Sequence, residues 1–273
     1  MASKWKKVVA VFDVHVPHNI NMSPVNSFLK DFKPTHFVIG GDFLNLGFIS
    51  HWREKDFAEI GFMTIRQNLQ LEFERGRKLL AEWSKILPEN CLKYYIPGNH
   101  EWWLVGFLQE HPDVLSRVRM KRPTIQTDYE LEKRKFLGKL LKHYLNLEET
   151  GYTVLPFGGK LKIGKIYFIH GHELGGQLPA KKAAVDYKRN VVFGHHHTNQ
   201  IYTSTSPLDS KDCHSGVSVP CLTHLAPGYL RTQTTRWLNG FYVATIDPKG
   251  FYWDSILKII NKKIITPDGK VYK

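Results

Sequence analysis

The sequence predicts an α/β protein built in layers, and three observations carry that expectation. Short β-branched or aromatic runs recur along the chain, segments with helical spacing separate the early ones, and the C-terminal part turns β-rich. The strand-length runs are Lys7 to Phe12, Thr35 to Ile39, Leu92 to Ile96, Lys165 to Ile169 and Val191 to Phe193. Each is bounded by Gly, Pro or Asp, as a buried strand should be. Between them, Phe57 to Leu87 places Phe62, Ile65, Leu69, Phe73, Leu80 and Trp83 at steps of three, four or seven, and Pro88 closes the helix. Tyr129 to Leu147 repeats the pattern with Leu131, Phe136, Leu140, Leu141, Tyr144 and Leu145. A shorter helix is expected over Val114 to Met120, behind Pro112 and Asp113, and late strands over Gly240 to Ile246 and Gly250 to Trp253. No repeat, low-complexity tract or linker interrupts the chain. We therefore expect one domain over residues 1–273, with 101–150 as a helical insertion.

At 273 residues, 42% hydrophobic and 23% charged, the composition excludes collagen-like, disordered and coiled-coil classes. Three cysteines, Cys91, Cys213 and Cys221, are too few and too odd for a secreted disulfide framework. The early apolar run Val8 to Phe12 is too short for a secretion signal, and nothing approaches the ~20 apolar residues of a membrane span. The expectation is a soluble cytoplasmic protein with no membrane partner. A net charge of +13 favours polyanions in a general way. The excess is spread over the later half: residues 157–190 hold seven bases against two acids, and 231–273 hold eight against three. A solvated basic surface is the plain alternative to a nucleic-acid footprint.

The chemistry gathers where the strands end. The first run leads into Asp13-Val-His15, the second into Gly40-Gly-Asp42 and the third into Gly98-Asn99-His100-Glu101. The fourth leads into His170-Gly-His172 and the fifth into Gly194-His195-His196-His197. Loops at strand ends converge in space however far apart they lie in sequence, and glycines let backbone approach the ligands. Carboxylate and amide oxygens suit hard ions and imidazoles suit borderline ones, so this mixture fits a pair of divalent metals.

In this order the blocks D-x-H, G-D, G-N-H-E, H-G and G-H-x-H, spanning residues 13–197, resemble the calcineurin-like metallophosphoesterase superfamily. Each block alone is weak, and the ordered set is specific. The resemblance implies a four-layer α-β-β-α sandwich of two mixed sheets flanked by helices. It implies that Asp13, His15 and His197 hold one ion, that Asn99, His170 and His195 hold the other, and that Asp42 bridges the pair. His100 is then the residue that contacts the scissile phosphate and protonates the leaving group. The implied nucleophile is a hydroxide generated between the ions. Manganese is favoured, while Fe, Zn, Ni or Mg suit the same donors.

Two positions depart from the phosphoprotein phosphatases of that superfamily. Where those enzymes place an aspartate that pairs with the catalytic histidine, followed by an arginine, this chain has Asn45 and Leu46. The expectation is that the Asn45 amide orients His100 and that the chain belongs nearest the nuclease and phosphodiesterase branch, of phage or bacterial type. A phosphomonoesterase, or a cyclic-nucleotide phosphodiesterase on small substrates, is the enzymatic alternative. A metal-poor binding scaffold is the alternative of another class, against which all seven ligand positions keep competent side chains.

Around the ligands, Glu101 is either an acceptor supporting them or a plain helix N-terminal acid. Trp102, Arg117, Arg119, Lys121 and Arg122 are candidates for contact with substrate, DNA or RNA included. Core anchoring of Trp102-Trp103 and a solvated lid are the plain alternatives. His18, His51 and His172 read as loop or core residues, and His196, between two ligands, points away from the metals. Cys213, His214, Cys221 and His224 match no common zinc spacing.

Overall fold

The computed structural model describes residues 5–50, 62–115, 128–209, 211–226 and 235–273. Its strands are β1 (Lys6–Val11), β2 (His36–Ile39), β3 (Leu92–Tyr95), β4 (Tyr152–Val154), β5 (Leu161–Ile163), β6 (Ile166–Ile169) and β7 (Asn190–Phe193). They continue with β8 (Gln200–Thr205), β9 (Cys213–Ser218), β10 (Gly240–Ile246), β11 (Tyr252–Ile260), β12 (Lys263–Ile265) and β13 (Val271–Tyr272). The described α-helices are α1 (Ser23–Phe32), α2 (Phe62–Ile86), α3 (Asn99–Glu110), α4 (Tyr129–Leu145) and α5 (Pro179–Tyr187).

Two mixed sheets result. The larger runs β13-β12-β11-β10-β1-β2-β3-β4 and the smaller β5-β6-β7-β9-β8. In the first, β1 to β4 are parallel, while β10 pairs antiparallel with β1. The second keeps β6, β7 and β9 parallel, with antiparallel strands at both edges.

Alternation along β1 shows how the layers are assembled. Val8, Ala10 and Phe12 join Phe168, Val192, Val217 and Tyr242 in a core between the sheets. Val9 and Val11 turn the other way, into a core shared with Leu29 of α1, Leu69, Phe73 and Trp83 of α2, Leu104 of α3 and Leu140 of α4. Outside the smaller sheet, Ala180 and Ala183 of α5 pack on Val191 and Phe193. A period of two in the strands thus serves two interfaces at once. The result is the helix–sheet–sheet–helix layering that the resemblance implies.

Some bounds differ from expectation for local reasons. The described part of the second helix begins at Phe62, residues 57–61 lying outside the described set. Helix α4 stops at Leu145 because Asn146 takes a left-handed φ of 53° and its N–H returns to the Lys142 carbonyl. Gly250, at φ 87°, is a turn residue rather than a strand start, and β11 runs on to Ile260. Val114 and Leu115 are buried but not helical, and the rest of that expected helix lies outside the described residues. Helices α1 and α5 were not among the expected elements, and α3 was expected only as part of a helical insertion over 101–150. Among the described residues, no helix is long and apolar enough to cross a membrane.

Candidate metal centre

Parallel strands β1, β2, β6 and β7 end on one side of the sandwich, and the loops that follow meet there. Asp13 N–H donates to the Gly41 carbonyl at 3.1 Å, His15 N–H to Asp42 O at 3.0 Å and Gly194 N–H to His170 O at 3.0 Å. The loops are thus tied by their own backbones beyond the ends of the strands. Five of the candidate ligands sit in the left-handed region: Asp13 (φ 51°), His15 (51°), Asp42 (48°), His195 (67°) and His197 (58°). Non-glycine residues rarely adopt this conformation, which costs roughly 1–3 kcal/mol each and persists only where surrounding structure imposes it.

Three groups of ligating atoms converge within 4.8 Å: Asp13 with His15 and His197, Asp42 with His170 and His195, and His15 with Asp42 and His100 between them. Asn99 joins the second group, its Oδ1 lying 2.9 Å from His170 Nε2. Asp13, His15, Asp42, His170 and His197 are buried.

Each aspartate divides its oxygens. Asp13 Oδ2 accepts the His195 N–H at 2.8 Å, while Oδ1 is buried with no hydrogen-bond partner. Asp42 Oδ1 accepts the His100 N–H at 2.9 Å, leaving Oδ2 at 3.3 Å from His170 Nε2 and 3.7 Å from His100 Nε2.

The donors fit a pair of divalent ions. His170 Nδ1 lies 3.0 Å from the Gly40 carbonyl, which can only accept, so Nδ1 carries the proton and Nε2 faces two oxygens. His15 Nε2 and His197 Nε2 face each other at 3.2 Å, and His197 Nε2 is 3.5 Å from the orphaned Asp13 oxygen. Around an ion ligated at roughly 2.1 Å, adjacent donors stand about 3.0 Å apart in an octahedron and about 3.4 Å in a tetrahedron. The observed separations fall around those values.

Electrostatics make the same demand. Burial disfavours charge on His170, yet the Asp42 carboxylate raises it to about 9. At His197 burial is likewise overcome, by Asp13, and the ring is raised to about 10. His15 is pushed well down by burial and by the His100 and His197 rings, and His195 to about 4 by burial and His170. Positive charge is wanted between these groups, and ligation supplies it without protonating every ring.

Glu101 stands in the first turn of α3 and accepts from both of the loops that meet there. Its carboxylate folds back onto the Gly98 N–H at 2.8 Å at the start of α3. It also accepts from Leu44 N at 2.9 Å, Asp42 N at 3.2 Å and Tyr95 Oη at 3.0 Å. Burial and the Asp42 charge raise its pKa, and the backbone donors oppose them. One side chain thereby fastens the loop carrying Asp42 to the loop carrying Asn99 and His100.

Asn45 requires a correction. Its side-chain amide was expected to orient His100, but the contact is made by its backbone carbonyl, which accepts from His100 Nδ1. Trp103, not Trp102, lies against the His100 ring, at 4.0 Å between centroids. Trp102 is half-buried and stacks on Phe157 at 4.4 Å, and Phe157 stacks in turn on His172 at 4.7 Å.

His196 belongs to none of the three ligand groups and lies edge-on to Phe193. Arg117, Arg119, Lys121, Arg122 and His51 lie outside the described residues. Among the described residues, Cys213, His214, Cys221 and His224 form no group of metal-ligating atoms.

Sequence reasoning missed Trp237, whose ring sits 4.2 Å from that of His197. Nothing near it in the chain flags it, because it arrives from beyond β9. It also missed Glu72, a buried carboxyl on α2 whose Oε2 accepts the Leu46 N–H at 2.9 Å.

Among solved structures, the chain is similar to Vps29 from Entamoeba histolytica complexed with Zn2+, with 10% identity over 94% of this chain and 95% of that one and a TM-score of 0.42. It is also similar to a predicted phosphoesterase from Streptococcus pneumoniae TIGR4, with 9% identity, 98% and 94% coverage and a TM-score of 0.36. A dimetal phosphatase from Danio rerio shows 11% identity, 88% and 92% coverage and a TM-score of 0.26. No curated protein matches the chain. The calcineurin-like phosphoesterase family matches residues 6–216, which run from β1 into β9 and include every candidate ligand. The chain belongs to the calcineurin-like phosphoesterase family.

Proposed function

We propose that the chain is a manganese-activated phosphodiesterase acting on nucleic acid. The observation that carries this reading is the placement of His100 beside seven converging donors. Its Nδ1 is tied back to Asn45 O, so Nε2 turns toward the cluster, 3.7 Å from Asp42 Oδ2. A diester needs its alkoxide leaving group protonated, and an imidazole can do this near neutral pH, an effect worth ~100 to 10,000-fold.

Asp13, His15 and His197 would hold one ion and Asn99, His170 and His195 the other, with Asp42 between them. Bound there, the ions supply Lewis-acid charge to the phosphate oxygens and acidify a coordinated water. The residues do the rest. Gly40 O fixes the His170 tautomer, Glu101 clamps the two central loops together, and Trp103 limits the tilt of the His100 ring. Leu46 stands where the superfamily's phosphoprotein phosphatases grip phosphate with arginine, which favours diesters over phosphoproteins.

Support for nucleic acid comes from the net charge of +13. The lysines of α4 are largely engaged within the protein. Lys133, Lys135 and Lys142 pair with Glu130, Glu132 and Glu148 at 2.8, 2.8 and 2.9 Å. A second reading, a diesterase of small nucleotides, is favoured by the Trp102–Phe157–His172 stack, whose His172 ring lies 6.0 Å from that of His170.

The test is a substrate panel on metal-reconstituted protein with Asp42→Asn as the inactive control, metal content being read alongside activity. Manganese-stimulated cleavage of bis(p-nitrophenyl) phosphate and of DNA or RNA, with binding that weakens steeply as salt rises, is the expected result. Turnover of small nucleotides alone moves the assignment to the second reading. His100→Ala is expected to keep both ions and to lose turnover of diesters whose alkoxide leaving group needs a proton.

A further inference from the structure

We infer that Glu72 is a positioning residue that acts on His100 through the Asn45–Leu46 peptide group. This rests on the reading of His100 as the proton donor. The mechanism above leaves Glu72 unused, although it is a carboxyl only 4% exposed inside the helix layer. Buried carboxyls are costly, so its partners matter. Its Oε2 accepts the N–H of Leu46 at 2.9 Å.

That N–H and the carbonyl of Asn45 belong to one planar amide. Their directions are opposed, so holding the N–H on one side aims the C=O on the other. The carbonyl is the acceptor for His100 Nδ1. Leu46 has a left-handed φ of 46°, which a side chain of that size adopts only when something imposes it. Glu72 supplies that constraint from below, and the backbone bond from Asn45 N–H to the Val16 carbonyl at 2.9 Å supplies it from the side.

The consequence is a hydrogen-bonded chain from carboxyl to amide to imidazole. Bonds in such a chain polarise one another, so the Asn45 carbonyl becomes a better acceptor and the Nδ1 proton is held more firmly. Nε2 is then the nitrogen left for substrate. The chain lacks an aspartate at position 45, and an amide driven by a glutamate from another element takes over its orienting task.

The test compares Glu72→Ala, Glu72→Gln and His100→Ala on diesters whose leaving groups run from p-nitrophenyl through phenyl to alkyl, with metal content and thermal melting measured for each. Supporting groups of this kind are worth roughly 10–100-fold. Glu72→Ala is expected to keep its metal, to lose about tenfold or more in kcat on the alkyl diester, and to lose little on the p-nitrophenyl diester, which needs no proton. The Gln variant, which keeps an acceptor oxygen, is expected to restore the alkyl rate to within about threefold of the parent. Should the Ala variant not fold, Glu72→Met keeps the volume without the acceptor and takes its place.

Uniform loss across the leaving groups, no loss at all, or failure of Gln to rescue overturns the inference. The His100→Ala arm separates the two readings. If it leaves the leaving-group dependence unchanged, the proton-donor role itself fails. If it steepens that dependence while Glu72→Ala does not, only the role of Glu72 is lost.

Discussion

Gly98 sits where the two central loops touch, and replacing it with alanine isolates how tightly the centre is built. Its backbone, at φ −94° and ψ −172°, is open to any residue, so the cost is purely one of space. A Cβ there would lie 2.1 Å from Asp42 Oδ1, 2.4 Å from Asp42 N and 2.8 Å from Asp42 Cγ. Relief requires more than about 1 Å of movement, since unbonded carbon and heavy atoms rest about 3.5 Å apart. Neither wall yields freely. Glu101 ties the N–H groups of Gly98 and Asp42, and the Asp42 carbonyl holds His15 N–H at 3.0 Å.

Overpacking of this kind costs about 1–3 kcal/mol, a loss of about 2–10 °C in Tm for a chain of this size. The effect on chemistry is larger, because a displacement of about 1 Å at a reacting centre costs on the order of 100-fold. The expected Gly98→Ala protein is folded, modestly less stable, low in bound metal and at least 100-fold down on bis(p-nitrophenyl) phosphate. Metal analysis, a melt and one kinetic assay read all three. A folded variant that binds two ions and turns over within threefold of the parent would refute the reasoning.

Two further outcomes follow from other residues. Burial raises Glu72 to about 8 from an ordinary 4.5, against the pull of the Leu46 and Asn45 N–H groups. Between those values the folded chain binds more protons than the unfolded one. Its contribution is therefore complete below about 4.5 and declines by slightly over 1 kcal/mol per unit as pH rises to about 8. Urea titrations of metal-free protein should show Glu72→Gln gaining on the parent across that window, and parallel curves would count against the shift. Gly106 of α3 and Gly138 of α4 have open space where a Cβ would go. Alanine at each should stabilise by roughly 0.5–1 kcal/mol without touching turnover, as melting curves and the diester assay will show.

Legibility in the sequence tracked how local each signal is. The runs that became β1, β2, β3, β6, β7 and β10 could be read because alternation and bounding glycines lie within a few residues of each other. Helix α3 was legible only as part of a helical insertion, without its bounds, because it starts on the ligand Asn99 and its buried Leu104, Val105, Phe107 and Leu108 give no clean polar face. The order of ligand blocks could be read from type and spacing alone. What holds them could not. Glu72 contacts a peptide 26 positions away and Trp237 a ring 40 positions away, and neither distance leaves a pattern in the chain. Asn45 shows the same limit at closer range: its identity was legible, but the working group is its carbonyl, which every residue carries.

Strain and backbone bonding explain why the centre is built this way. Five candidate ligands hold left-handed dihedrals, at roughly 1 kcal/mol or more each, and none can be relieved by glycine without losing its donor. That conformation turns the chain sharply as it leaves a strand, which lets Asp13 and His15 aim from one short loop into one ligand group, and His195 and His197 from another loop into the two neighbouring groups. The loops stay ordered because carbonyls and N–H groups continue to pair past the sheet, Asp13 to Gly41, His15 to Asp42, Leu222 to Asp13 and Leu238 to His197. Each of those bonds fixes a ligand residue by its backbone and leaves its side chain free to face the centre. Positional accuracy at the donors therefore comes from the main chain, and that is why a glycine at 98 or a carboxyl at 72 bears on the chemistry as directly as the ligands themselves.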